Sequence, residues 1–220
     1  MRTFSRSYGA LALAALLSAS GCLQKELTHT IYVSPRDVTW SAMEKDVRSD
    51  DPDPGTQMME EQDYILGARV GQHGVARALR ALDATRLDTT VLRRDRPFTV
   101  VTDAHFVDLA GLANAMMRAA HVRGDASIER KACETTFRAW IDMEGPGDEM
   151  PTPLTELMSE ATSYRIVLTS GRFLHGDGFS IEQGGAIAVP GEPSTTEDGI
   201  ARVSLTWAEG WCPADPRVGR

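Results

Sequence analysis

The sequence predicts an α+β fold with a mainly antiparallel sheet, about three helices and a C-terminal meander of short strands. Two observations support this fold class. Segments that alternate polar and apolar residues come in pairs joined by short turns, which is typical of antiparallel hairpins. Segments with helical spacing separate these pairs, as in α+β folds, whereas most parallel strands need longer crossover connections.

The first 21 residues have the layout of a cleavable signal peptide. Arg2 and Arg6 precede an apolar stretch at residues 8–17, which is too short to span a bilayer because a span needs about 20 apolar residues. Small residues follow and lead to Cys22. A positive start, an apolar centre and a small-residue end, in this order, indicate export.

The residues around Cys22 carry a more specific resemblance. Residues 17–22, LSASGC, resemble the lipobox of bacterial lipoproteins, in which the cysteine is acylated and becomes the new amino terminus. Ala19 stands where leucine is usual, and Ala19 with Gly21 would also suit an ordinary signal peptidase that cuts at the same bond. The resemblance implies that residues 1–21 are removed and that Cys22 carries a lipid such as palmitate. Residues 22–26 are then a short tether to a single α+β domain at 27–220.

The resemblance also implies a location in the cell envelope, with the membrane as a partner through the lipid. Leu23 follows the cysteine instead of the aspartate that typically retains lipoproteins at an inner membrane. We therefore expect the outer membrane, at its periplasmic face or surface, if the organism has one. Without the leader, 21 basic residues face 31 acidic ones, and this acidic balance argues against nucleic acid as a partner.

Two further cysteines, Cys133 and Cys212, form an even pair in the exported chain. In an oxidising envelope such a pair suggests a disulfide, and the alternative is two thiols that never meet. A bridge would close a loop of about 80 residues and stabilise the fold by about 4–5 kcal/mol.

The first half of the domain reads as two hairpins around a long helix. The hairpins are predicted at residues 27–33 with 38–47 and at 87–92 with 98–102, and the helix at 56–82. Small residues follow one face of this helix: Gly67, Gly71, Gly74, Ala78 and Ala81. Because each glycine costs about 1 kcal/mol in a helix, the stripe indicates close packing against a neighbouring element. A partner-binding groove is the alternative.

The second half combines short helices and strands. Asp103 is the predicted N-cap of a helix that ends near residue 120. Residues 127–143 are predicted as one strand and residues 152–161 as a short helix with Pro153 in its first turn. Strands with glycine turns follow at 164–169, 172–175, 179–182, 186–189 and 200–207.

No motif in the sequence carries a catalytic or metal-binding signature, and we expect no cofactor. The patterns HExxH, CxxC and GxSxG are absent, and the histidines are scattered. The best local metal candidate is Asp103, His105 and Asp108, for which a helix cap with two solvated neighbours is the favoured interpretation. The loop around Asp51 and Asp53 departs from the EF-hand pattern.

The one concentrated basic feature is Arg93, Arg94 and Arg96 in the turn of the second hairpin. A solvated hairpin tip is the default interpretation. Contact with lipid head groups or with an acidic partner is the alternative, which the short tether makes plausible.

The expected function is a non-catalytic binding or assembly module for another envelope component, such as an envelope protein. The alternative is a lipid-anchored hydrolase with a site built from scattered Asp and Glu residues and His105 or His175, so the sequence leaves catalysis open. A deep polar cleft that gathers those residues would favour the enzyme, and a closed core with an exposed patch would favour binding.

Overall fold

Strands dominate the described part of the chain, which comprises residues 23–142, 161–196 and 199–209 in this computed structural model. The large sheet has the order β3-β4-β2-β1-β7-β10-β9. Its strands are β1 (Leu23–Val33), β2 (Val38–Ser49), β3 (Arg86–Arg93), β4 (Phe98–Phe106), β7 (Ala161–Leu168), β9 (Phe179–Glu182) and β10 (Ile187–Pro190). All neighbouring pairs of this sheet are antiparallel except β1 with β7.

The small sheet has the order β11-β12-β6-β5, and β8 also pairs with β12. Its strands are β5 (Gly124–Lys131), β6 (Glu134–Asp142), β8 (Arg172–Asp177), β11 (Ser194–Thr195) and β12 (Ile200–Ala208). Three α-helices occur in the described residues: α1 (Pro54–Arg69), α2 (Gly74–Ala81) and α3 (Leu109–Ala119), together with a short 3-10 helix (Gln183–Gly185). The predicted fold class, α+β with mainly antiparallel sheets, is confirmed.

The first predicted hairpin forms as expected, but its first strand is longer. β1 begins at Leu23, four residues before the predicted start, and pairs there with Ser49 at the end of β2. Residues 23–26, predicted as a tether, therefore belong to the sheet. Their side chains are more polar than those further along β1, so alternation alone did not reveal them.

The predicted helix at residues 56–82 is two helices, because the chain turns between Arg69 and Gly74. Gly71 has φ 64° in this turn, a left-handed conformation that glycine adopts without a Cβ clash. Its N–H donates to the carbonyl of Ala68 at 3.0 Å, and the N–H of Gln72 donates to the carbonyl of Gly67 at 2.7 Å. These bonds close the end of α1, as at many glycine-capped helices. The small-residue stripe therefore does not follow one helix.

The predicted N-cap at Asp103 is wrong, because β4 continues to Phe106. The helix begins at Leu109, and its N-cap is Asp108, five residues after the predicted one. Oδ1 of Asp108 accepts from the N–H of Gly111 at 2.7 Å. The alternation of buried and less buried residues, from Val100 to Phe106, continues the strand to this point.

The single strand predicted at residues 127–143 is a hairpin made of β5 and β6. Ala132, with φ 51°, and Cys133 form its turn, and Lys131 pairs with Glu134. Polar residues alternate with apolar ones on both sides of the turn, so the sequence shows no break there. The helix predicted at 152–161 lies outside the described residues except for Ala161, which begins β7.

The core lies between the two sheets and under the helices. Fully buried side chains come from both sheets and from all three α-helices, among them Trp40, Leu79, Leu112 and Leu205. α3 packs on β5 and β6, whereas α1 and α2 cover the half of the large sheet that contains β2, β3 and β4. Among the helices of the described residues, none is both long and apolar enough to cross a bilayer.

Two glycine substitutions test the turn between α1 and α2. Gly71→Ala should lower the free energy of unfolding by about 1–2 kcal/mol, because the left-handed conformation places a Cβ against the following carbonyl. Gly67→Ala, inside α1, should raise it by up to about 1 kcal/mol through helix propensity. The nearest atom to a Cβ at residue 67 is 3.7 Å away, an ordinary contact.

Urea titrations of the two variants and the parent chain measure both effects. A Gly71→Ala protein with a raised midpoint would show that residue 71 continues a helix, contrary to the turn described above.

Candidate functional site

Four chain segments meet at one end of the large sheet, which we call the Leu23 end. β1 begins there at Leu23, and β2 ends beside it at Ser49. β4 begins there at Phe98, opposite Val47, and β3 ends there at Arg93. The start of the domain and the basic hairpin tip therefore lie at the same end.

A fully buried carboxylate, Glu44 of β2, lies just inside this end. Lys25 Nζ is 3.2 Å from its Oε1, and His73 Nε2 is 3.1 Å from its Oε2. His73 comes from the turn between α1 and α2, and its Nε2 also lies 3.2 Å from Oγ1 of Thr102 on β4. One carboxylate therefore joins three strands to the helical turn.

Opposing effects set the ionisation of Glu44. Burial acts to raise its pKa, but the hydrogen bond from His73 and the charge of Lys25 outweigh burial, so the pKa of Glu44 lies below its ordinary value of 4.5. Burial, together with the nearby negative charge of Glu44, raises the pKa of Tyr64. Tyr64 therefore keeps its proton, and its ring meets that of His73 edge-on at 5.8 Å.

This buried cluster is closed to substrates. Glu44 is 0% exposed and His73 is 6% exposed. Tyr64 of α1 packs against His73, so the helix covers this side of the cluster. The cluster therefore serves to hold the fold together and is not placed for acid–base chemistry on a bound molecule.

A second set of contacts ties the hairpin tip to α1. Arg96 Nε lies 2.9 Å from Oε1 of Glu61, and Arg96 also donates to Oε1 of Gln57 at 3.0 Å. Glu61 accepts in addition from the N–H of Ser49 at 2.9 Å. Arg96, one of the three arginines in the predicted basic tip, therefore has a structural partner.

A polar cleft of about 450 Å³ opens at the same end, beside the buried cluster. It lies where the register of β1 and β2 shifts, between Gln24 and Glu26. Its lining residues are Gln24, Lys25, Glu26, Asp46, Arg48 and Pro97. Lys25 connects the cleft to the core, because its ammonium group pairs with buried Glu44 while its side chain is 11% exposed.

The residues of the predicted metal candidate do not form a site. His105 lies on β4, with its Nδ1 3.7 Å from a carboxylate oxygen of Asp37 and its Nε2 4.0 Å from one of Asp88. Asp108 caps α3, and Asp53 caps α1 by accepting from the N–H of Thr56. In the part of the chain that the structure describes, no group of three or more His, Cys, Asp and Glu residues could hold a metal ion.

The histidines that the hydrolase alternative would use lie apart. His105 is in the large sheet, whereas His175 is an exposed residue of β8 in the small sheet. His29 is buried and accepts from Nε1 of Trp40 at 2.9 Å, while its ring stacks on that of Tyr164. The described residues thus offer no cleft that gathers these histidines with acids.

One feature of the sequence indicates the buried cluster: the position of Glu44 in the alternation of β2. Val38, Trp40 and Ala42 are the apolar face of β2, and Glu44 continues in phase with them. An acidic residue in phase with a buried face indicates a paired internal charge. Its partners could not be read in the same way, because Lys25 precedes the predicted strand and His73 lay within the predicted helix.

No protein-family model matches the chain, and no curated protein matches it by sequence. The NMR structure of the folded domain of LppM from Mycobacterium tuberculosis is 14% identical, with 90% of this chain and 94% of that chain covered at a TM-score of 0.34. The Mu homology domain of Fcho1 from Danio rerio, with a bound Eps15 peptide, is 9% identical, with 90% and 83% covered at a TM-score of 0.23. These likenesses are too weak to support a function.

Replacing the buried carboxylate tests its role. Glu44→Gln should lower the free energy of unfolding near pH 7 by about 3–5 kcal/mol, because it removes the negative charge that pairs with Lys25 inside the fold. The folded pKa of Glu44 lies below its unfolded value near 4.5, so its stabilising effect is fully present above that pH. The effect is lost as the pH falls further, through the folded pKa.

Urea titrations from about pH 3 to pH 7 should therefore show the parent and the variant converging in acid. Glu134→Gln, at an exposed position of β6, is the matched control and should change stability little. A difference in the free energy of unfolding between the parent and Glu44→Gln that stays constant across this pH range would contradict an ionised Glu44.

Proposed function

We propose that the protein is a lipoprotein of the cell envelope, anchored by a lipid on Cys22, with a non-catalytic domain that binds or helps assemble another envelope component. In an organism with two membranes we place it at the outer one, because Leu23 follows the acylated cysteine. The observation that carries the proposal is the start of β1 at Leu23, directly after Cys22.

This start leaves no flexible spacer between the lipid and the fold. One residue spans at most about 3.8 Å, so a lipid on Cys22 would hold the Leu23 end against the bilayer surface. β1 lies between β2 and β7 in the large sheet. The anchor would thus be joined to an interior strand, and the domain would keep a defined orientation to the membrane.

The cysteines support the same assignment. The chain has three, and Cys133 is disulfide-bonded to a residue outside the described part of the chain. If a lipid occupies the sulfur of Cys22, Cys212 is the remaining partner. The N–H of Glu209 donates to the carbonyl of Cys133 at 3.2 Å, which brings the chain three residues before Cys212 to the turn that holds Cys133.

An exposed apolar row on α1 supports a binding role. Met59 and Leu66 of α1, and Val70, the C-cap residue that follows it, are 58–65% exposed. Their spacings of seven and four residues place them on one side of the helix axis. Met58 is exposed beside them. Exposed apolar surface of this kind is typical of protein–protein contacts.

Cys22→Ser tests the anchor. The substitution should abolish labelling by a clickable fatty acid and move the protein from the membrane fraction to the soluble fraction. Cys212→Ser is the control: it should keep the label and should free one thiol at Cys133 for alkylation. Labelling that persists in Cys22→Ser, or a thiol at Cys133 freed by Cys22→Ser instead, would refute the lipid assignment.

A photo-reactive amino acid at Leu66 tests the binding role. Irradiation of cells that carry this variant should give a discrete adduct of higher mass, because the side chain lies in the exposed apolar row. The same amino acid at Ser127, an exposed position of β5, is the control and should give none. Adducts at Ser127 but not at Leu66 would count against a partner on α1.

A further inference from the structure

The tip of the β3–β4 hairpin carries charge that the fold does not use. Arg93 and Arg94 are exposed, and neither forms an ion pair with any described residue. Their neighbour Arg96 differs, because Glu61 and Gln57 hold it. Leu92, directly before the pair, is 60% exposed. An exposed apolar residue beside two free guanidinium groups is typical of surfaces that contact lipid head groups.

The strand register places this tip close to the level where β1 begins. Leu23 pairs with Ser49, and Phe98 pairs with Val47, two residues before the end of β2. The turn of the hairpin thus lies within about 7 Å of the level of Leu23, measured along the strands. Three strand spacings, or about 14 Å, separate it from β1 across the sheet.

We propose, given the lipid anchor on Cys22 proposed above, that Arg93 and Arg94 contact the phosphate groups of anionic phospholipids in the membrane that holds the anchor. The guanidinium group donates two parallel hydrogen bonds to a phosphate, which suits it to this contact. A bilayer surface that holds residue 22 lies against the Leu23 end, and it therefore meets the tip as well.

The contact is local, because acidic residues lie at the same end. Asp95 is in the tip itself, and Asp50 and Asp51 follow β2. Long-range attraction between the whole domain and an anionic membrane is therefore weak. The arginine pair acts only when the anchor has already brought the tip to the surface, as the second of two signals that give stable attachment.

A weak anchor makes this second signal measurable. The mature chain, Cys22–Arg220, is coupled through Cys22 to a single myristoyl chain, which by itself gives marginal, reversible binding. Partition is then measured on vesicles of phosphatidylcholine and on vesicles that also contain phosphatidylglycerol. With both arginines replaced, Arg93→Gln with Arg94→Gln, partition onto the anionic vesicles should fall by about 30-fold, as expected for two surface arginines.

Arg130→Gln with Arg202→Gln is the matched control, because both arginines are exposed on the small sheet and neither forms an ion pair with a described residue. The control should retain the partition of the parent, and the tip variant should match the parent on phosphatidylcholine alone. Equal losses of partition onto anionic vesicles in both variants would show an effect of net charge and would overturn the proposal. Unchanged partition of the tip variant would overturn it as well. Because the anchor is attached chemically, these outcomes are independent of whether cells acylate Cys22.

Discussion

The buried charge of Glu44 is the constraint on which the arrangement of the large sheet depends. An ionised carboxylate inside a protein is stable only when paired and hydrogen-bonded. Its partners come from the beginning of β1 and from the turn between α1 and α2. This one group keeps its charged partners only when the strand register, the break in the helix and the position of α1 agree. Hydrophobic burial alone would tolerate small shifts of these elements, whereas the carboxylate does not.

The fold class and both early hairpins could be predicted because alternation with period two is a direct consequence of strand geometry. The predictions of single elements are wrong at places where the backbone turns although the spacing of polar and apolar residues continues unchanged. Gly71 fits a helical stripe by spacing and still ends the helix, since glycine is compatible with both conformations. Ala132 turns the chain with a positive φ that is uncommon for alanine, and only the pairing of β5 with β6 explains it.

The candidate site was less accessible to prediction than the fold. The lipobox-like segment and the arginine tip are visible as local sequence patterns. That the start of β1 and the arginine tip lie at the same end of the sheet follows from the order and direction of four strands. Glu44 could have been singled out by its phase within β2. Its partner Lys25 was missed because it lies in the polar segment Gln24–Glu26, before the start of the predicted strand. Strand pairing brings the residues of this site together from segments that are far apart in the chain. A single sequence does not reveal which strands pair or in what register.

The position of β1 has a mechanical consequence. Hydrogen-bond ladders flank this strand on both sides, antiparallel to β2 and parallel to β7. A pull along the axis of β1 at its amino-terminal end would load both ladders in shear, so that many hydrogen bonds resist together instead of opening one by one. The ion pair between Lys25 and Glu44 adds a side-chain connection close to the point of pulling. With the lipid on Cys22 that we propose, both ladders would resist tension on the anchor.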